Sequence, residues 1–404
     1  FCAMHSDINY SDFSLRNSFI ENNHSHTFGG GIFFGPGEYN LLISGSEDYT
    51  NEFSGNSSGY WHGAAIYTLV GAVLGDKIAS FNHFEFNCSN ENIIKGHTSF
   101  ELNGCTYDKS LYSDVTVFVD PNGNNDNSGL SASDPFKTIT HAVKTLKGDG
   151  YENNTIHLSA GVFSEDTNSE RFPIGLYPAY EIIGQGPETI IDADQMDRII
   201  YRALRPHQTH LQNLHIRNGK SDLGGGIHTK HSAMLDLKNV VVSNCEAWRS
   251  GGGIHAWDTS VRLLEDSLFQ DCIAGFSGGA LQVMHCRGYN NSSHARFYRN
   301  SAYLGGAIHS LDVYSSYPIF EFSEFRANRA YAGGVGKISE LTSAVKACEF
   351  YNNSAFFGGV VDAASTSGSH GWPTTFTNCI FSGNSADLSG GCINLSDYQI
   401  LFSI

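Results

Sequence analysis

Beyond Asn213, short runs of alternating apolar and polar residues return in a fixed order, each run followed by an Asn or Asp and then by paired small residues, mostly glycine. NLHIRNGKSDLGGGIHT from Asn213, NVVVSNCEAWRSGGGIHA from Asn239, DSLFQDCIAGFSGGALQV from Asp266, ARFYRNSAYLGGAIHS from Ala295, SEFRANRAYAGGVGKI from Ser323, CEFYNNSAFFGGVVDA from Cys348 and CIFSGNSADLSGGCINL from Cys379 are variants of one unit. Their equivalent apolar positions, Ile216, Val242, Phe269, Phe297, Phe325, Phe350 and Phe381, lie 26, 27, 28, 28, 25 and 31 residues apart. A second column, Ile227, Ile254, Leu281, Ile308, Gly336, Val361 and Ile393, follows the first by 11 or 12 residues every time. Helical repeats of this length need two amphipathic stretches rich in Leu, Ala, Glu and Lys, whereas these units hold Gly, Asn, Ser, Phe and Val in short period-two runs. Two strands in fixed phase, with a variable connection after them, predict a coil whose every turn lays its strands beside those of the turn before. The fold class read from this pattern is all-β, a parallel β-helix solenoid.

Side chains switch faces at each residue of a strand, so the position after each isoleucine of the second column points outward. That outward column reads His228, His255, Gln282, His309, Lys337, Asp362 and Asn394, all polar, and is expected to form a solvated ladder. Asn218, Asn244, Asp271, Asn300, Asn328, Asn353 and Asn384 fall two or three residues after the first column and are expected to stack at a turn, bonding from rung to rung. The paired glycines from Gly225 and Gly226 to Gly390 and Gly391 suit a tight corner. Phe297, Phe325, Phe350 and Phe381 are expected to fill the core as an aromatic ladder.

Segments such as FYRNSAYLGGAI, FRANRAYAGGV and FYNNSAFFGGV resemble the paired FxxN and GGA(I/L/V) motifs of polymorphic outer membrane protein repeats. The resemblance covers about residues 213 to 395, with related units near LRNSFIENNHSHTFGGGIFF from Leu15 and FSGNSSGYWHGAAIYT from Phe53. It implies a right-handed β-helix displayed outside the cell and associated with adhesion. Nothing like that family's carboxy-terminal membrane barrel is present in this sequence. Residues 115 to 150 read as a strand, a loop rich in Asn, Gly and Ser, and an amphipathic helix from about Phe136 to Leu146, with Asp134 as N-cap and Pro135 at the first helical position. This stretch resembles the amino-terminal cap of pectate-lyase-like β-helices, with TIHLSAGVFSE and IIGQGPETIIDA as first rungs. A helix that covers the sticky end of a coil marks where a solenoid begins. Residues 1–112 are therefore expected to be the tail of a preceding β-helix, 113–153 a strand-loop-helix cap, and 154–404 a second β-helix in tandem.

Composition narrows the function. A net charge of −17 with only 24 Lys and Arg excludes nucleic acid as a partner, since that affinity comes from clustered cations releasing counterions. No apolar run reaches the roughly 18 to 20 residues that span a bilayer, so membrane insertion by this segment is not expected. Phe1 opens no signal peptide and Ile404 falls within a strand-like run, so the chain reads as a piece of a longer one. Nine cysteines are too few for a disulfide scaffold at this length. Cys245 and Cys272, each three residues past the core column, leave two readings open, an inter-rung disulfide or buried thiols, while Cys348 and Cys379 read as buried thiols.

Candidate chemistry is sparse. Asp192, Asp194 and Asp197, followed by Arg198, Arg202 and His207, are the best local set for polysaccharide lysis or hydrolysis, against a reading in which the acids sit in a solvated turn. His228 and His255, one rung apart, could offer two imidazoles to a metal, but Gln282 breaks the series. No catalytic residue, metal set or cofactor is assigned. Asn-x-Ser/Thr sequons stand at Asn9, Asn23, Asn56, Asn87, Asn153, Asn290, Asn291, Asn352 and Asn394, candidate glycosylation sites in a secreted protein. The reading is a non-catalytic, extracellular structural or adhesive segment of a cell-surface protein, stalk or filament. Its expected partners are other copies of itself, other extracellular proteins or glycans. The alternative is a carbohydrate-active enzyme or a carbohydrate-binding β-helix.

Overall fold

In this structure, a computed structural model, the described residues are 114–146, 154–176, 180–203, 208–231, 234–285, 290–311, 318–339, 344–364 and 374–395, with individual short strands within 2–107 and at 402–403. The chain divides into two compact units, Phe1–Ser113 with Thr145–Glu152, and Asp114–Lys144 with Asn153–Ile404. In the first unit most strands pair in parallel with their counterparts one repeat away. Ile32–Phe34 pairs with Ile66–Thr68, which pairs with Ile94–Gly96, and Phe19–Glu21 pairs with Asn51–Ser54. Ile20 thus lies opposite Phe53 and Ile32 opposite Ile66, which sets the two repeats read near Leu15 and Phe53 in register.

The second unit is a parallel β-helix with four sheets. One rung shows the path: Arg296–Tyr298 on the first sheet, Ser301–Leu304 on the second, Ile308–Leu311 on the third and Pro318–Glu321 on the fourth, before Glu324–Arg326 rejoins the first. Every expected pairing of the first column is present, from Ile216 opposite Val242 to Phe350 opposite Phe381. The same holds for the second column, from Ile227 opposite Ile254 to Val361 opposite Ile393. The repeat pattern placed two strands in each unit. The second sheet was missed because its strands, only two to five residues long, are too short to show a period. The fourth was missed because it lies in the connection that varies most between repeats.

The core is built by stacking like on like. Phe269, Phe297, Phe325, Phe350 and Phe381 lie face to face at successive centroid distances of 5.2, 4.9, 5.0 and 4.8 Å, within 9° of parallel. Phe320 and Phe376 of the fourth sheet meet this stack edge-on, which completes an apolar interior of offset and T-shaped contacts. Beside it runs an amide ladder. Asn300 Nδ2 donates to Asn328 Oδ1 at 3.0 Å, Asn328 Nδ2 to Asn353 Oδ1 at 3.0 Å, and Asn353 Nδ2 to Asn384 Oδ1 at 2.9 Å. The same amide groups donate to the carbonyls of Phe269, Phe297, Phe325 and Phe350, one rung away, and the oxygens of Asn328, Asn353 and Asn384 accept the backbone N–H of the ladder asparagine one rung before.

The expected turn column proves to be two adjacent columns. Asn218, Asn244 and Asp271 belong with Arg299, Ala327, Asn352 and Gly383, which all have left-handed backbone with φ between 52° and 67°. The ladder position is the next residue, and there the upper rungs carry Cys245 and Cys272 instead of Asn. The first column carries a conformational constraint, which Asn and Gly meet most readily and which Arg299 and Ala327 also satisfy here, and the second a hydrogen-bonding constraint, which Asn meets best. At the corner before the third sheet Gly224, Gly251, Gly278, Gly305, Gly333, Gly358 and Gly390 all take φ between 59° and 69°. A Cβ on the next residue, Gly252, would lie 2.4 Å from the carbonyl oxygens of both Gly279 and Ile273, so the pair admits no side chain.

Of two described helices, one is the single turn Glu165–Asn168, and the longer spans Ile139–Thr145, starting three residues later than the pattern places it. Asp134 does not cap it, because its carboxylate accepts the N–H and hydroxyl of Ser128 at 3.0 and 2.7 Å. Thr138 Oγ1 accepts His141 N–H, and the buried Glu170 carboxylate accepts the N–H groups of Ile139 and Thr140 at 2.6 and 3.0 Å. A capping oxygen supplied from 31 residues away cannot be read from local spacing.

Replacing Phe350 by Ala removes a ring stacked on both sides and contacted edge-on by Phe376, so a loss of about 3–5 kcal/mol is expected. Urea unfolding of wild type and Phe350→Ala checks it, and a loss below about 1 kcal/mol would contradict the stacked core.

Candidate functional site

The three acids that close the early rung have separate tasks. Asp192 is buried at the end of Thr189–Asp192, where its carboxylate accepts Arg217 Nε at 2.5 Å, Asn218 Nδ2 at 2.9 Å and the backbone N–H of Asp194 at 3.0 Å. Burial works against its charge, but these donors outweigh burial and hold the carboxyl below its ordinary range. Asp194 is exposed at left-handed backbone, with its carboxyl shifted up by partial burial and by the neighbouring Asp192. Asp197 is half-buried and accepts the N–H of Arg198 at 2.7 Å, and burial moves its carboxyl up. Asp192 thus staples one rung to the next. Arg202 points into the interior, fully buried, and burial lowers its guanidinium to about 9. His207 lies outside the described residues.

Arg198 does join a cluster across rungs. Its guanidinium donates to Ser221 Oγ at 2.6 Å and to Asp222 Oδ1 at 2.7 Å, and lies 2.5 Å from His228 Nδ1. The His228 ring meets His255 edge-on at 4.9 Å and Tyr201 edge-on at 5.5 Å. Sequence spacing could not show this convergence, since 30 residues separate Arg198 from His228.

The polar column on the outer face of the third sheet is buried, contrary to the expected solvated ladder. His228, His255, Gln282, His309 and Asp362 are each at most 9 % exposed. The alternation was read in the correct phase, since Ile227 and Ile254 face the core at 0 % exposure. Parity alone does not reveal what covers a face. Here the corner folds the end of the second-sheet strand back over the third, so that Ser277 donates to Gln282 and Ser389 donates to Asn394, five residues on in each case. Ser250 and Ser277 join at 2.9 Å in the same corner, Lys337 pairs with Asp362, and Asn394 Nδ2 donates to Asp362 at 2.6 Å. Burial, reinforced by the charges of His255 and Arg198, lowers His228 to about 3. Burial together with Arg198 takes His255 to about 4, and burial together with Lys337 takes His309 to about 4. The Nδ1 atoms of His255 and His309 make no hydrogen bond among the described residues, and no three His, Cys, Asp or Glu converge there as a metal would require.

Cys245 and Cys272 are buried free thiols in the ladder column, and Cys348 is a buried thiol that burial pushes up to about 12. Cys379 is half-buried. Of the sequons, Asn352 is exposed at a left-handed turn, whereas the carboxamide of Asn394 is half-buried and engaged by Asp362 and Ser389. Asn23 is exposed. Asn290 and Asn291 sit on a fourth-sheet strand with side chains outside the described set, and Asn9, Asn56, Asn87 and Asn153 lie outside the described residues.

Residues 121–189, the start of the second unit, match a family described as a protein of unknown function, DUF1565. Among solved structures the chain is similar to the crystal structure of pectate lyase Pel9A, with 11% identity and a TM-score of 0.43 over 73% of this chain and 80% of that one. No curated protein matches it.

The buried imidazoles make stability depend on mildly acid pH. With folded values near 4 and an ordinary value of 6.5, unfolded His255 and His309 bind protons between those limits while the folded side chains do not. Their stability contribution is therefore full above about pH 6.5 and falls as pH drops toward 4, by up to about 3 kcal/mol for each. Urea midpoints at pH 7.5 and 4.5 should show this loss, and His255→Gln, which installs the residue found at 282, should reduce it. An equal pH dependence in wild type and variant would show that His255 stays solvated.

Proposed function

We propose that this chain is a rigid extracellular segment of a structural or adhesive cell-surface protein, whose internal ladders make a stiff rod and whose outer strand faces and loops present binding surface. The observation that carries the reading is the monotony of the interior, with one phenylalanine per rung from Phe269 to Phe381 and one ladder asparagine per rung from Asn300 to Asn384. A solenoid shaped for turnover concentrates unlike charged groups in a few rungs, whereas a rod keeps rungs alike and varies its outside. The resemblance of the FxxN and GGA(I/L/V) motifs to surface-displayed repeats supports the same reading. So does the commitment of Asp192 to Arg217 and Asn218, which leaves it no lone pair directed at a substrate. In this reading the Ile139–Thr145 helix closes the start of the second solenoid.

The second reading, a carbohydrate-active enzyme, rests on the Arg198, Asp222 and His228 cluster, where three ionisable side chains from separate strands or turns meet. Incubation with pectate, alginate and other acidic glycans, with and without calcium, tests the two. No depolymerisation is expected. Turnover that disappears on replacing Asp192, Asp194, Asp197 or Arg198 would establish the enzyme instead.

A further inference from the structure

The second sheet carries a stripe of solvent-exposed apolar side chains on successive rungs, Trp248, Phe276, Tyr303, Tyr331, Phe356 and Leu388. Trp248, Phe276, Tyr303, Tyr331 and Leu388 are 67, 53, 47, 41 and 64 % exposed, and Phe356 is half-buried. Phe276, Tyr303, Tyr331 and Phe356 stack on one another at 6.2, 4.7 and 5.1 Å, within 17° of parallel. A ligand that lies flat on a ring needs a free ring face. Along Phe276, Tyr303, Tyr331 and Phe356 the facing sides are taken by the neighbouring rings, and what reaches solvent there is a row of edges. A row of edges suits a partner that offers apolar groups at the same rise per rung, about 4.8 Å, and another solenoid of this kind has that spacing.

We infer that the stripe pairs with the same stripe of a second copy, antiparallel, about a two-fold axis between Tyr303 and Tyr331. The ends of the stripe decide the direction. At one end Trp248 is followed by exposed Arg249, and at the other Leu388 is preceded by exposed Asp387. At one end Ala247 lies opposite Ala274 and Ser250 opposite Ser277, which sets Trp248 and Arg249 opposite Gly275 and Phe276; at the other a register shift leaves Asp387 and Leu388 both outward beside Phe356. Neither Arg249 nor Asp387 makes an ion pair among the described residues. Antiparallel pairing sets Arg249 against the Asp387 of the second copy twice, Phe276 against Phe356 twice, and the tyrosines against each other at the axis. Parallel pairing would instead set Arg249 against Arg249 and Asp387 against Asp387. A net charge of −17 opposes association at long range, but at physiological salt that repulsion is screened beyond about 8 Å, while the two ion pairs act at contact. Six rungs make a stripe about 24 Å long, small beside permanent interfaces, so the pairing is a concentration-dependent equilibrium.

This inference names a partner for the structural reading above and rests on it, yet each can fail alone. Sedimentation equilibrium of the full chain at about 1 to 200 μM in 150 mM salt should show reversible dimers. Tyr303→Ser with Tyr331→Ser, both on exposed positions and checked for folding by circular dichroism, should abolish them. Arg249→Glu alone and Asp387→Arg alone should each weaken association at least tenfold, and an equimolar mixture of the two variants should restore it, because each then meets an opposite charge at both ends. A wild type that stays monomeric throughout, dimers indifferent to the tyrosine pair, or a mixture no better than its components would each overturn the pairing. So would a monomer whose Trp248 fluorescence shifts on adding a neutral polysaccharide, which would give the stripe to a glycan. None of these outcomes produces polymer turnover, the result that would overturn the structural reading.

Discussion

The constraint on which the second unit depends is vertical repetition: whatever one rung places at a given position must be acceptable about 4.8 Å above and below itself. Few side chains satisfy this when buried. A phenyl ring does, because its faces accept another ring at 4.8 to 5.2 Å along the whole stack. An asparagine does, because its amide is a donor at one end and an acceptor at the other, so each Asn closes the valence of the next and also holds a main-chain carbonyl of the neighbouring rung. Charged groups satisfy it when opposite signs stack, as with Arg217 on Asp192, Arg262 on Asp236 and Arg299 on Asp271. All three pairs lie one rung apart.

That constraint is also why so much of the fold could be read from one sequence. Residues required to match their neighbours in space must recur in the chain, so the columns from Ile216 to Phe381 and from Ile227 to Ile393 gave both the strands and their register. Recurrence fails where a strand is only two residues long, as at Ile273–Ala274, or where its sequence is free to vary, as on the fourth sheet. It fails differently at the histidine column. Period-two alternation says which side of a strand a residue occupies, but the covering of His255 and Gln282 comes from a corner that folds back over them, and nothing in the alternation encodes it. The Arg198 cluster was illegible for the same reason. It joins groups on separate strands and turns whose only relation is proximity in space.

Outside and inside therefore follow different rules in the same strands. Along the first sheet the inward Phe297, Phe325 and Phe350 never change, while their outward neighbours form a heterogeneous network in which Glu324 accepts from Tyr298 and Arg326, and Arg326 lies 5.3 Å over the ring of Tyr351. Variation there costs the stack nothing. On the second sheet the outward side is uniform again, as a stacked aromatic row, although no core requires it. Uniformity in the interior follows from folding. Stacking from rung to rung strengthens strand pairing on this sheet as well, and the ring edges it leaves in solvent are the surface on which the proposed pairing of two copies rests.

The two cysteines at the top of the ladder show what the asparagine position asks for. Cys272 stands where Asn300 stands one rung on, and its backbone N–H donates to Asn300 Oδ1 at 3.0 Å, as the N–H of Asn300 does to Asn328. Its thiol points to Val242 O at 3.6 Å, the carbonyl that corresponds to the one Asn300 holds at Phe269, and Cys245 points to Ser243 O at 3.3 Å. Both are fully buried, and burial, with Cys245 alongside, drives the Cys272 thiol far above its ordinary range. A weak donor thus replaces a strong one while the main-chain direction is kept. Oxidation of the pair would join the rungs covalently but would remove both S–H donors, leaving the Val242 and Ser243 carbonyls without them in a dry interior. In the reduced state the thiols continue the amide ladder toward Gly219, where the column ends in a residue with no side chain.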